Sequence, residues 1–194
     1  MWIFSIVYMI VKKTTTMNII AIGDPHFKTS NIPEVNLFMN KLLIEIRKDP
    51  PKHIIVLGDL LDEHERLNVI PMNKAQYFIN QLRQITETWV IVGNHDYRNN
   101  SEYLSTNHWM NGFKQWDNVH IVDKVTYIDT PNGFFTLVPY VYPGRFKEAL
   151  ESGERDWKES LAIWAHQEFQ GCKMGAIVSV EGDVWSQDLP SVIS

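Results

Sequence analysis

Cysteine is nearly absent: Cys172 is the only one in 194 residues. That excludes an internal disulfide framework and a thiolate metal cage. It fits a reducing compartment such as the cytoplasm, and it leaves Cys172 a plain packing role. An excess of positive charge is missing too. The 18 Lys and Arg stand against 23 Asp and Glu, a net charge of −5. No global basic field therefore holds nucleic acid, and a nuclease would need a local patch or a basic partner. Long apolar runs are lacking. The stretch Met1 to Val11 falls short of the roughly 20 residues that span a bilayer. It also has no positive n-region and no small-residue cleavage site. Residues 1–16 read as an apolar extension outside the fold, or an upstream mis-start, with an interfacial anchor as the alternative. Residues 17–194 read as one domain, undivided by repeat, low-complexity segment or linker.

What is present is organised around Trp89 to Asp96, WVIVGNHD. Four apolar residues have the pattern of a strand buried on both faces. Gly93 ends the run, and Asn94, His95 and Asp96 follow at once. The same grammar occurs twice upstream. Asn18 to Ile22 is a strand ending at Gly23, followed by Asp24, Pro25 and His26. Ile54 to Leu57 is another, followed by Gly58, Asp59 and, three residues later, Asp62. Between them lie two helical patterns. The first carries Val35, Phe38, Met39, Leu42, Leu43 and Ile46, with Ser30 or Asn31 as cap and Pro33 in its first turn. The second opens at Pro71 after a charged loop over 63–70 and carries Ala75, Phe78, Ile79, Leu82 and Ile85. The order β-α-β-α-β predicts parallel strands, with ligands bound outside their carboxyl ends. All three polar clusters sit there.

The second half predicts shorter elements. A short irregular helix is expected within 99–111, strands over 119–122, 125–128 and 134–139, and a helix over 143–150. A buried strand over 161–165 ends in His166, and an apolar run covers Ala176 to Val180. Together they suggest a second, mixed sheet packed on the first.

Asp24, His26, Asp59, Asn94 and His166 offer oxygen and nitrogen donors without sulfur. Such a set suits two divalent ions, manganese first, with iron or zinc as alternatives. Asp59 is the natural bridge. Two ions about 3.5–4 Å apart can share a hydroxide and hold a phosphate ester for in-line attack. His95 is placed to protonate the leaving oxygen or to stabilise charge in the transition state, and Asp96 to orient His95 or a ligand. Each Asp alone would read as a turn or cap residue, and His166 alone as a packed histidine. It is the convergence at strand ends that favours metal. Asp62 reads as a supporting residue rather than a ligand. Arg98 reads as a surface arginine, with contact to a substrate phosphate as the sharper alternative. His53, His64, His108 and His120 have no partner in sequence and read as surface or packing residues.

Asp24-x-His26, Gly58-Asp59-x-x-Asp62, Gly93-Asn94-His95-Asp96 and the strand-end His166 together resemble the calcineurin-like metallophosphoesterases, over essentially residues 17–194. The resemblance implies an α/β two-sheet α/β/β/α sandwich. It assigns Asp24, His26 and Asp59 to one metal, Asp59, Asn94 and His166 to the other, and the catalytic acid to His95. It also implies a closing Gly-His-x-His turn. None follows His166, so the chain reads as truncated and, as given, weak in metal binding or inactive. A phosphate mono- or diester is the expected substrate. A nuclease of the double-strand-break repair type is an alternative. The His166-Gln167 pair is similar to those enzymes, whereas Asp62 stands where they carry His and Lys28 where they carry Gly. A non-catalytic binding scaffold is the third reading; the missing turn favours it and the intact His95 opposes it.

Overall fold

The computed structural model describes residues 9–14, 17–64, 66–174 and 177–194. Strands β2 (Met17–Ile22), β3 (His53–Val56), β4 (Glu87–Ile91) and β5 (Val119–Val122) lie side by side and parallel. Helices α1 (Ile32–Lys48) and α2 (Val69–Arg83) connect the first three. Residues 1–16 are expected outside the fold; of these, Met9–Thr14 form strand β1, which pairs antiparallel with β2 from Met9 opposite Ile22 to Thr14 opposite Met17. Residues 1–8 and 15–16 lie outside the described residues.

The second sheet places Val192–Ile193, Ile163–Ala165, Gly133–Val138 and Thr126–Thr130 side by side in that order. It comprises β6 (Thr126–Thr130), β7 (Gly133–Val138), β8 (Ile163–Ala165) and β11 (Val192–Ile193), with the short α3 (Phe146–Glu151) between β7 and β8. The sheet is mixed, since β6 runs antiparallel to β7 while β8 and β11 run parallel to it and to each other. A two-residue ladder, β9 (Lys173–Met174) with β10 (Ile177–Val178), stands apart. Ala176, the first residue of the expected apolar run, lies outside the described residues.

Strand periodicity explains the layering. Successive side chains point to opposite faces. Ile20 and Ile22, Ile54 and Val56, and Val90 and Val92 therefore pack under α1 and α2, against Met39, Leu43, Phe78 and Ile79. Ile19 and Ala21, Ile55 and Leu57, and Trp89 and Ile91 face the second sheet, where Phe135, Leu137 and Trp164 meet them. Val138, Ile163 and Ala165 use the far face of that sheet to bury Phe146, Ala149 and Leu150 of α3. The result is a helix–sheet–sheet–helix sandwich, as the motifs implied.

Two boundaries differ from expectation for local reasons. Helix α2 starts at Val69 rather than Pro71, because the Asn68 side chain accepts from the Ile70 N–H and caps it two residues earlier. The expected helix within 99–111 is displaced to a 3-10 segment, Trp109–Gln115. Its entry is capped by His108, whose ring accepts from the Met110 N–H.

Trp164 is fully buried between the sheets, edge-on to Phe135 at 6.0 Å. Trp164→Ala is expected to lower unfolding free energy by about 3–5 kcal/mol in urea titrations. A loss well under 1 kcal/mol would mean the sheets share no close-packed interface.

Candidate metal centre

Three loops leave the carboxyl ends of β2, β3 and β4; the first two zip together through their backbones, and the third is tied to them through the Asp59 and Asp96 carboxylates. His26 N–H donates to Asp59 O at 3.0 Å and Phe27 N–H to Leu60 O at 2.8 Å. Both His26 and Asp59 adopt left-handed backbone, with φ of 43° and 45°. Neighbouring groups hold these conformations in place. Asn31, expected as a helix cap, makes no cap bond. Its side chain instead donates to His26 O at 2.8 Å and accepts from the Lys28 N–H at 3.0 Å. Glycine is required where the loops touch. A Cβ on Gly93 would overlap the Asp59 carboxylate and backbone nitrogen, and one on Gly58 would lie 2.7 Å from His166 Nδ1.

Asp59 is the centre of the cluster and only 4% exposed. Its Oδ1 accepts from the His95 N–H at 2.9 Å. Its Oδ2 faces three imidazole nitrogens: His166 Nε2 at 3.5 Å, His26 Nε2 at 3.6 Å and His95 Nε2 at 3.9 Å. Burial alone would raise the Asp59 carboxyl, but the His166 charge and hydrogen bonding hold it below the usual carboxylate range. Burial likewise opposes a charge on His166, yet Asp59 and then Asp24 outweigh it and push the imidazole up to about 9. Asp24 is exposed and joins the cluster from the rim, 3.6 Å from His166 Nδ1. Asn94 Oδ1 lies 2.9 Å from His166 Nε2, while its amide nitrogen donates to Asn100. The five expected ligands are thus brought to one place.

Of the two expectations for Asp96, the contacts lie with the ligand loops rather than with His95. Asp96 is buried, and its carboxyl accepts from the backbone N–H of Gly93 and Leu60 and from the Trp109 indole at 3.0 Å. It therefore ties the second and third loops to the 3-10 segment. Burial and the nearby Asp59 charge push its pKa up to about 7, against those donors. His95 is oriented instead by the Asp62 carbonyl, 2.8 Å from its Nδ1. The Asp62 side chain is held by Lys28 at 3.2 Å. His64 stacks parallel on His95 at 4.6 Å, and Tyr140 lies edge-on to His166 at 6.3 Å. His64, Trp109, Asn100 and Tyr140 carry no local sequence signal for these roles.

The donor set fits divalent cations. The Leu57 carbonyl, 2.8 Å from His166 Nδ1, requires the proton on that nitrogen. Nε2 then points at Asn94 Oδ1 and Asp59 Oδ2, both acceptors, an arrangement that either the second imidazole proton or a cation in its place satisfies. Nitrogen and oxygen ligands held about 2.0–2.2 Å from one ion lie about 3.0–3.5 Å from each other. The spacings of Asp59, His26, His166 and Asn94 are close to that range. His26 Nδ1 is buried and makes no hydrogen bond among the described residues, although Asp62 Oδ1 lies 3.4 Å from it. Among those residues no three His, Cys, Asp or Glu side chains are set to hold an ion as placed; the fit is in the pairs.

The sequence profile of the calcineurin-like phosphoesterases matches residues 17–183. The chain belongs to this family. Two viral proteins with the designation phosphoesterase are similar to this family member. One is 078R of Invertebrate iridescent virus 3, 48% identical over 95% of this chain and 54% of its own length. The other is 244L of Invertebrate iridescent virus 6, 49% identical over 91% and 62%. The phosphoesterase domain described here thus spans little more than half the length of these relatives. Among solved structures, the nuclease MPE of Pseudomonas putida aligns with a TM-score of 0.44 at 15% identity, over 89% of this chain and 74% of that one. That likeness is too low to bear on substrate. Among the described residues no helix is long and apolar enough to cross a membrane.

Two outcomes follow for this phosphoesterase centre. Gly93→Ala is expected to destabilise the fold by about 1–3 kcal/mol through overpacking against Asp59; an unchanged melting temperature would show the loops yield freely. In chelator, the stability contributed by protonated His166 is complete below pH 6.5, its unfolded value, and is lost as pH rises through about 9. The melting-temperature gap between wild type and His166→Gln should therefore shrink across that window. A gap independent of pH would refute it.

Proposed function

We propose that this domain hydrolyses phosphoric esters at a centre that holds two divalent cations. Asp24, His26 and Asp59 would hold one and Asp59, Asn94 and His166 the other. Manganese is the first choice, because the donors are oxygen and imidazole nitrogen without sulfur. When bound, the pair supplies Lewis acidity toward the phosphate and a water acidic enough to act as nucleophile at neutral pH.

The observation that carries this reading is the single Asp59 oxygen facing three imidazoles at 3.5–3.9 Å. A purely structural carboxylate would be expected to take hydrogen bonds at normal length from such neighbours. The remaining side chains have separable tasks. His95 holds its Nδ1 proton on the Asp62 carbonyl, which directs Nε2 toward the Asp59 side of the site. From there Nε2 hands a proton to the leaving oxygen. His64, flat against one face of His95, restricts rotation of that ring. Asp96 keeps the Gly93 and Leu60 backbones, and so Asn94 and Asp59, in register. Lys28 neutralises Asp62 and keeps its negative charge from competing for the cations. An intact proton donor at His95 favours an enzyme over a binding scaffold.

Calorimetric titration with Mn²⁺ should show two sites per chain, both lost in Asp59→Asn. The loaded protein should hydrolyse bis-nitrophenyl phosphate and lose activity in chelator. His95→Asn should keep both metals and lower turnover about 10²–10⁴-fold on esters with poor leaving groups. Full metal loading without hydrolysis of mono- or diesters would overturn the proposal in favour of a scaffold.

A further inference from the structure

Asn94 and His166, the two ligands proposed for the second cation but not for the first, follow strands of different sheets. Both touch one small assembly at the rim. Tyr140 follows β7 and lies edge-on to His166, with ring centroids 6.3 Å apart at 71°. Its hydroxyl donates to the Asn100 carbonyl at 3.1 Å. The Asn100 side-chain oxygen in turn accepts from the Asn94 amide nitrogen at 3.3 Å. The assembly is anchored at both ends. The Tyr140 N–H donates to Val92 O at 2.8 Å, and the Arg98 N–H, two residues before Asn100, donates to Asn107 O at 3.2 Å.

The contact with Asn94 decides whether that side chain can serve a cation. An amide oxygen carries lone pairs, whereas the amide nitrogen only donates. Asparagine is therefore a ligand in only one of its two amide orientations. Two groups select that orientation here, Asn100 at the nitrogen and His166 Nε2 at the oxygen. When a cation replaces the second imidazole proton, His166 no longer donates to Asn94. The hold that remains is Asn100.

We infer that Asn100 and Tyr140 are positioning residues for the second cation alone, which rests on the two-cation reading and divides that centre into separately held halves. Asn100 keeps the Asn94 oxygen inward. Tyr140 keeps Asn100 within reach, and its ring limits rotation of His166. His26, in the other half, is held by different groups: Asn31 donates to its carbonyl at 2.8 Å, and Asp62 Oδ1 lies 3.4 Å from its Nδ1. Partners that orient a ligand set its affinity for metal as well as its geometry. Losing Asn100 or the Tyr140 hydroxyl therefore weakens one half and spares the other.

The test is calorimetric titration with Mn²⁺ in two backgrounds, each with one half disabled. His26→Gln leaves the second half and His166→Gln the first. In the His26→Gln background, Asn100→Ala should weaken the remaining ion about three- to tenfold, the size of one neutral hydrogen bond. In the His166→Gln background it should change nothing. Tyr140→Phe, which removes only the hydroxyl, should act in the same direction and add little once Asn100→Ala is present, because both lie on one path. A general loosening of the rim would instead weaken both halves, and the two substitutions would add. Where a background binds no ion, the wild-type titration supplies the same comparison, with the loss expected in one of its two steps only. Far-ultraviolet circular dichroism identifies any variant that fails to fold. Equal effects on the two halves, no effect on either, or full additivity would overturn the assignment and keep the two-cation centre. A wild type that binds no Mn²⁺ would overturn the centre itself, and the assignment with it.

Discussion

One buried negative charge sets the terms for everything around it. The Asp59 carboxylate lies beyond the end of β3 with little access to water, where an uncompensated anion is costly. Backbone hydrogen bonding from His95 satisfies one oxygen, and the other is left to imidazoles from three different segments. None of those segments can move without exposing the charge to a poorer environment. The parallel sheet supplies the rigidity this demands. Its strands deliver their loops to one edge, where the first two are joined backbone to backbone and the third is bound to the second through carboxylates.

The second sheet completes what the first begins. His166 comes from the end of β8, more than a hundred residues after Asp59, and can reach it because β8 packs face to face with the parallel sheet. A backbone hydrogen bond from Tyr140 to Val92, 2.8 Å long, fastens the two sheets at the site edge. The interleaved core of Ile55, Leu57, Ile91, Leu137 and Trp164 holds the sheets at a fixed separation. Packing and the geometry of the cluster are therefore linked: displacing the sheets would move His166 relative to Asp59.

The parallel strands, the first helix and the gathering of Asp24, His26, Asp59, Asn94 and His166 were legible in the sequence, because each rests on local grammar. Strand periodicity, a terminal glycine and a following donor are all encoded within a few residues. What was illegible depends on contacts between distant positions. Asp96 reads as a partner for His95 or for a ligand, and the sequence does not say which; its hydrogen bonds go to Gly93, to Leu60, thirty-six residues away, and to Trp109. His64 has no adjacent signal and acquires its role by stacking on His95. Asn31 sits where a cap belongs and spends its side chain on the His26 loop, a choice set by tertiary geometry. The edge pairing of Met9–Thr14 escaped notice for the opposite reason. Its apolar character was visible, but nothing local says whether such a run docks on a sheet.

The left-handed backbone at His26 and Asp59 has an evolutionary corollary. A side chain in that region carries a conformational penalty of about 1–3 kcal/mol, which glycine escapes. Random mutagenesis screened only for heat resistance should therefore drift toward glycine or asparagine at these two positions, yielding sturdier proteins that have forfeited the carboxylate and imidazole of the cluster. Backbone ease and side-chain chemistry pull on the same two codons in opposite directions.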